Sequence, residues 1–316
     1  MYRIALLLSL IITQTTRANS WGFFGHKTIN HAAVFTLPAE MFAFYKANIS
    51  QITTLAVQAD KRRYISEDEA PRHYLDADFY ESATPLDTIP RQYDSAIALF
   101  GIDTLIKHGI VPWHVIRVKW WLTKAFMAKD YTAIIKLSAD LGHYVGDLHV
   151  PLHSTHNYNG QFTDQHGIHG FWESRLPELF SDNYDLFVGK ATYLFDIENV
   201  VWDKFEESYA AVDSVLMFDK LTQQSIRDDL LYAYEQRGQQ TVRTQSKKYS
   251  SAYHKALNNM VERRMRSSIW CVGSLWYTAW VDAGQPDLNL LTEDTDLSIK
   301  DSFPIKGIFL GREEPN

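Results

Sequence analysis

The chain has 316 residues, 46% hydrophobic and 14% aromatic, with 38 acidic residues against 31 basic and a formal net charge of −7. Apolar content of that order over that length supports a large buried core and excludes an intrinsically disordered chain. The acidic balance gives no bulk attraction to nucleic acid or anionic lipid, and the single cysteine, Cys271, excludes an internal disulfide and a thiolate-rich metal site.

The first twenty residues read as a secretory leader: a short basic start at Met1-Tyr2-Arg3, an apolar stretch from Ile4 to Ile12, and a polar flank in which Ala18 and Ser20 give a small-x-small cleavage site before Trp21. The apolar stretch is too short to span a membrane. Export to a periplasm or the exterior is therefore expected, and the lack of disulfides fits a bacterial source better than a eukaryotic secretory route. Removal of Arg3 and Arg17 with the leader lowers the net charge by two more. Cleavage would make Trp21 the mature N-terminus, and a free α-amine, with a pKa of ~8, loses its proton to a metal readily and chelates together with its own carbonyl oxygen.

Apolar residues then recur at spacings of three and four, which predicts helices over about Gly25 to Thr36, Pro38 to Ala47, Thr53 to Lys61, Ser95 to His108, Pro112 to Ala128, Tyr131 to Leu148, Ile168 to Arg175, Ala191 to Phe218, and Gln223 to Ala283 with a break near Gly238. No repeat or low-complexity stretch interrupts them. The expected architecture is all-α, one helical domain over residues 21–283, followed by an irregular tail over residues 284–316 that carries Pro286, Pro304, Gly307 and Gly311. Cys271, in Ile269-Trp270-Cys271-Val272, reads as a small buried hydrophobe.

The chemistry concentrates between His143 and His153. On a helix His143 and Asp147 are four apart and share a face, the geometry needed to hold one cation, while His149 faces elsewhere. Pro151 ends that helix and lets the chain beyond it carry His153 toward a neighbouring site. Downstream, His169 and Glu173 repeat the four-residue spacing and can share a metal with His153. Three protein ligands and an open position describe a catalytic zinc rather than a structural one. Upstream stand His26, Asp60 at the end of an apolar run, and His73 in Arg72-His73-Tyr74-Leu75-Asp76. His156 and His166 read as loop histidines, and His31, His108, His114 and His254 as lying outside the cluster.

Together the Trp-Gly-x-x-Gly-His opening (Trp21 to His26), the His-Tyr-Leu-Asp segment (His73 to Asp76), the His-x-x-x-Asp-x-x-x-Pro-Leu-His block and the later His-x-x-x-Glu resemble the superfamily that joins bacterial zinc-dependent phospholipase C to the fungal and plant single-strand nucleases. The resemblance covers about Trp21 to Leu179. It implies an all-α fold and three zinc ions: the first held by Asp60, His73, His143 and Asp147, the second by His153, His169 and Glu173, and the third by the amine and carbonyl of Trp21 with His26 and Asp147, so that Asp147 bridges two metals. Three zinc ions bring about +6 against about −3 from Asp60, Asp147 and Glu173, which leaves a positive pocket for a phosphate diester in an acidic protein. The implied reaction is hydrolysis by a metal-bound hydroxide attacking phosphorus in line, with Asp60 as the residue to orient or deprotonate the water, or as a ligand only.

Glu173 at the last ligand position and the short interval from His153 to His169 resemble the phospholipase branch, and the Trp21 to His26 spacing resembles the nuclease branch. The nuclease disulfides are absent, and His156-Asn157-Tyr158-Asn159-Gly160-Gln161 stands where that branch has Gly-Gly-Asn. The expected substrate is therefore a phosphodiester of phospholipid head-group type, with single-stranded nucleic acid as the alternative and a catalytically silent zinc scaffold as a third reading. Tyr74 and Asp76 are substrate candidates: an aromatic beside a ligand can stack on a base or cradle a choline ammonium. The basic run Lys61-Arg62-Arg63 reads as a solvated helix end. Trp120-Trp121 and the stretch from Trp270 to Trp280 read as core, with transient membrane-surface contact as the alternative. No protein partner is predicted.

Overall fold

The computed structural model describes residues 22–81 and 86–291. The expected leader, Trp21 and the tail beyond residue 291 lie outside the described residues. Within them the chain is all-α apart from one hairpin.

Helix α1 (Gly22–Ala33) leads through a 3-10 turn into α2 (Ala39–Ala47), α3 (Ile49–Leu55) and α4 (Gln58–Arg62). A 3-10 turn at Ala70–His73 precedes α5 (Ala77–Glu81), and α6 (Tyr93–Phe100) and α7 (Ile102–His108) follow. The helix expected over Ser95 to His108 is split because Gly101 adopts φ +80°, a conformation only glycine takes without strain. Two central helices of 18 residues each, α8 (Val111–Ala128) and α9 (Tyr131–Leu148), are joined through Lys129 in the left-handed region and Asp130, whose side chain accepts from the Ala133 amide at 2.9 Å and caps α9. Beyond a Pro151–Ser154 turn come α10 (Ile168–Gly170), a π-helical turn at Phe171–Arg175, α11 (Leu176–Phe180), α12 (Ile197–Ala210) and α13 (Val212–Ser225). The strands β1 (Tyr232–Arg237) and β2 (Gln240–Gln245) form an antiparallel hairpin, and α14 (Lys247–Ala256) and α15 (Met260–Asp282) complete the helices.

The hairpin corrects the expected helix from Gln223 to Ala283. Gly238 is the first residue of a two-residue turn, with φ +61° and Arg237 paired to Gln240, and the tyrosines, threonines and valine on either side favour extended backbone. Arg175 anchors the hairpin by donating from two guanidinium nitrogens to Glu235.

The short α8–α9 link sets these helices side by side, α15 packs across both, and α1 packs on α9 and α15. The core they enclose includes Ile29, Phe126, Ile135, Val145, Trp172, Cys271 and Trp276. Cys271 is a buried free thiol that burial pushes up to about 12, the small hydrophobe its neighbours suggested. Trp276 and Trp280 are core as well, whereas Trp120 is 53% exposed. Among the described residues no helix is long and apolar enough to cross a membrane.

Candidate metal centre

Helix α9 is the platform. His143 and Asp147 project from its inner face, and Gly142 just before them lets α1 approach so closely that a Cβ there would lie 1.7 Å from Asn30 Oδ1. The approach brings His26 of α1 over the site, its ring stacked on His143 with centroids 3.9 Å apart. Gly22, at the start of α1, donates its amide to Ser174 Oγ at 3.0 Å, which fixes α1 beside Glu173. The Pro151–Ser154 turn supplies His153, and α10 and the π-helical turn supply His169 and Glu173. Asp60 arrives from α4 and His73 from the end of the Ala70–His73 turn.

These eight residues converge and are no more than 5% exposed. Three mutually close groups form within the set: His26, Asp60 and His143; His73, His143 and Asp147; and His153, His169 and Glu173. Asp147 links them. Its Oδ2 lies 2.8 Å from His73 Nδ1 and 3.1 Å from His143 Nε2, and its Oδ1 lies 3.4 Å from His26 Nε2 and 3.7 Å from His153 Nδ1. Asp60 Oδ1 stands 3.7 Å from His143 Nε2 and 3.9 Å from His73 Nδ1. In the other group Glu173 Oε2 is 3.3 Å from His153 Nε2 and 3.1 Å from His169 Nε2. All of the expected ligands inside the described residues therefore meet; Trp21 lies outside them.

Tautomers can be read from the backbone. His143 Nδ1 faces the Ala56 carbonyl at 2.9 Å and His153 Nδ1 faces the His73 carbonyl at 2.6 Å. A carbonyl only accepts, so both Nδ1 atoms donate, and in the neutral rings the Nε2 lone pairs point inward. His143 Nε2 then confronts His73 Nδ1 at 3.1 Å beside the Asp147 carboxylate. Acceptor atoms gathered this way repel unless a proton or a cation lies among them. Several separations fall between 3.1 and 3.4 Å, close to the edge of about 3.3 Å of a tetrahedron with metal–ligand bonds of ~2.0–2.1 Å.

The electrostatics agree. Burial would depress the His143 imidazole, yet the Asp147 and Asp60 carboxylates outweigh it and push the ring up to about 9. Burial would raise the Asp147 and Glu173 carboxyls, yet the surrounding histidines hold both below the usual carboxylate range. His26 moves down, through burial and the His143 charge. The pocket thus favours a positive charge at its centre and keeps its carboxylates ionised.

One supporting residue escaped the sequence reading. Glu69 is 1% exposed and its Oε1 lies 3.6 Å from His73 Nε2, on the side of the ring away from Asp147. Burial opposes its ionisation, but His73, Arg62 and Arg72 hold its carboxyl far below the usual range. A carboxylate behind a ligand histidine orients the ring and raises its basicity. The signal was the Glu69-x-x-x-His73 spacing. The two nearby arginines are committed to this support: Arg62 donates to Asp140 at 3.1 Å and to Glu69 at 3.3 Å, and Arg72 to Glu69 at 2.8 Å. His149 faces away, as expected, with Nδ1 donating to the Val145 carbonyl.

Of the two substrate candidates, Tyr74 needs correction. Its ring is 1% exposed and its hydroxyl donates to the Lys107 carbonyl at 3.2 Å, so in this conformation it offers no face to a ligand. Asp76 is also buried but its Oδ2 faces His108 Nδ1 at 3.3 Å and His156 Nδ1 at 3.4 Å, which removes those two histidines from the class of isolated ones. Neither protein-family models nor curated proteins match the chain.

Proposed function

We propose that this protein is an exported zinc-dependent hydrolase of phosphate diesters, of the phospholipase C and single-strand nuclease type, holding three zinc ions and acting on a phospholipid-like head group ahead of nucleic acid. The observation that carries the reading is Asp147, a fully buried carboxylate facing four histidines and joining all the ligand groups. Such a side chain is costly inside a protein unless it is paired or bound to metal. The donor set, five imidazoles and three carboxylates without thiolate, suits catalytic zinc.

His73, His143, Asp147 and Asp60 would hold one ion, His153, His169 and Glu173 a second, and His26 with Asp147 and the Trp21 amine and carbonyl a third. When bound, zinc would neutralise phosphoryl and leaving-group oxygens and lower the pKa of a coordinated water toward about 7. The chain's part is positional. Backbone carbonyls of Ala56 and His73 lock the rings of His143 and His153, Glu69 stands behind His73, and the burial of all eight side chains strengthens every charge interaction by excluding water. Asp60, at 5% the most exposed of the eight, would take or orient a proton of an attacking water.

The lipid-type reading is favoured over the nucleic-acid one because Arg62 and Arg72 are committed to Glu69 and Asp140 rather than to a phosphate track. Phe79 and Phe162, 43% and 67% exposed beside Asp76 and His156, offer apolar surface to an amphipathic substrate at a membrane surface.

The test is hydrolysis by the zinc-loaded chain beginning at Trp21, with phosphatidylcholine and single-stranded DNA compared in one buffer with and without chelator. Chelator-sensitive release of phosphocholine is the expected result. Cleavage of DNA alone moves the protein to the nuclease branch, and full zinc with no turnover on either points to a zinc scaffold.

A further inference from the structure

The geometry points to a fourth divalent-cation site, formed by Asp76, His108 and His156 at the outer edge of the centre described above. Three segments far apart in sequence build it. Asp76 directly precedes α5, His108 ends α7, and His156 lies in the loop after the Pro151–Ser154 turn. Main-chain bonds hold the segments in register: the Asp76 amide donates to the His108 carbonyl at 2.7 Å and the Leu75 amide to the His153 carbonyl at 3.0 Å. Gly109, with φ +88°, permits the contact, because a Cβ there would fall 2.1 Å from the Tyr74 carbonyl oxygen.

The ligand atoms converge within 4.8 Å of one another. Asp76 Oδ2 faces both Nδ1 atoms, at 3.3 Å for His108 and 3.4 Å for His156. Charge-assisted hydrogen bonds between imidazolium and carboxylate run shorter, at ~2.7–2.9 Å, whereas about 3.3 Å is the edge of a tetrahedron drawn around a zinc-sized cation. Two imidazoles and a carboxylate form a donor set for zinc and its first-row neighbours.

The rings are also held in place. Phe79 stacks on His108 with centroids 3.5 Å apart and an interplanar angle of 10°, and Phe162 lies over His156 at 5.3 Å. The Asp78 carboxylate accepts from the His156 amide at 2.9 Å and from Thr155 Oγ1 at 2.8 Å, which secures the loop that carries the third ligand. Asp76 and His108 are buried and the His156 side chain is 52% exposed, so the site opens outward on the side of His156. With three protein ligands, that open side leaves a position for water or an anionic oxygen of a substrate.

The site stands on its own residues and shares no ligand with the larger centre. The test is zinc bound per chain, measured on the full protein equilibrated in buffered zinc, for the parent and for His156→Gln and Asp76→Asn, with near-UV circular dichroism to verify the fold. His156 is half-exposed and Asp76→Asn conserves shape, so both variants are expected to fold and each to bind one zinc fewer than the parent. A parent with one ion and variants with none would support this site while removing the larger centre. Equal zinc in the parent and a folded variant of either kind overturns the proposal and leaves Asp76 as a hydrogen-bond acceptor between two histidines.

Discussion

Glu69 touches none of the atoms that face the centre of the site, yet it stands 3.6 Å from the outer nitrogen of His73 and binds Tyr144, Arg62 and Arg72. It is a positioning residue. Glu69→Gln keeps the volume but removes the charge that favours the metal-binding form of His73, and loss of such a partner typically costs ~10–100-fold in metal affinity. The expected outcome is a zinc isotherm shifted by about that factor for one ion with the stoichiometry at saturation unchanged. An unshifted isotherm would reduce Glu69 to a partner of the arginines. At this scale the sequence was informative where spacing is local: His143 with Asp147 and His169 with Glu173 announce themselves four residues apart. It was silent where partners are distant, since nothing in the local spacing of His108 or His156 places either beside Asp76.

At the scale of elements, the packing of α1 on α9 decides whether His26 reaches Asp147. Gly142 makes that packing possible, and Asn30 uses it to donate to the Ala139 carbonyl at 3.0 Å. Gly142→Ala forces a Cβ into Asn30, an overpacking that typically costs ~1–3 kcal/mol. Urea denaturation of the metal-free chain is expected to show a lower midpoint with an unchanged slope, and the ion that includes His26 to bind more weakly; an unaltered midpoint would mean that the helices separate without penalty. Helix α9 itself was legible to the residue, Tyr131–Leu148, because Asp130 caps it and Pro151 follows its end. The hairpin at residues 232–245 was not, because a glycine within a helical periodicity reads as a break in a helix, and pairing of strands is a contact between residues rather than a local propensity.

For the molecule as a whole, a metal-loaded site would also be a fastening. Its candidate ligands come from α1, α4, the Ala70–His73 turn, α9, the Pro151–Ser154 turn and the segment from His169 to Glu173, so a bound cation would tie elements that span half the chain. Without it, eight buried ionisable residues must satisfy one another. A ligand that binds only the folded state at a free concentration 100 times its Kd contributes ~2.7 kcal/mol per site. Chelator is therefore expected to lower the thermal midpoint, with recovery on adding zinc back, and equal midpoints in both conditions would argue against metal in the folded protein.

The sequence by itself determined the helical class, the positions of α8 and α9 and the two local ligand pairs, because helix periodicity, caps and i,i+4 spacing are properties of neighbouring residues. The resemblance supplied the more distant ligands. Only the tertiary structure decided that His26, Asp60 and His73 meet α9 around one carboxylate, that Tyr74 turns inward, that Glu69 stands behind His73, and that Asp76 gathers two histidines of its own. Each of those is a meeting of side chains far apart in the chain, set by which helix faces must be buried against one another and by glycines small enough to let them close.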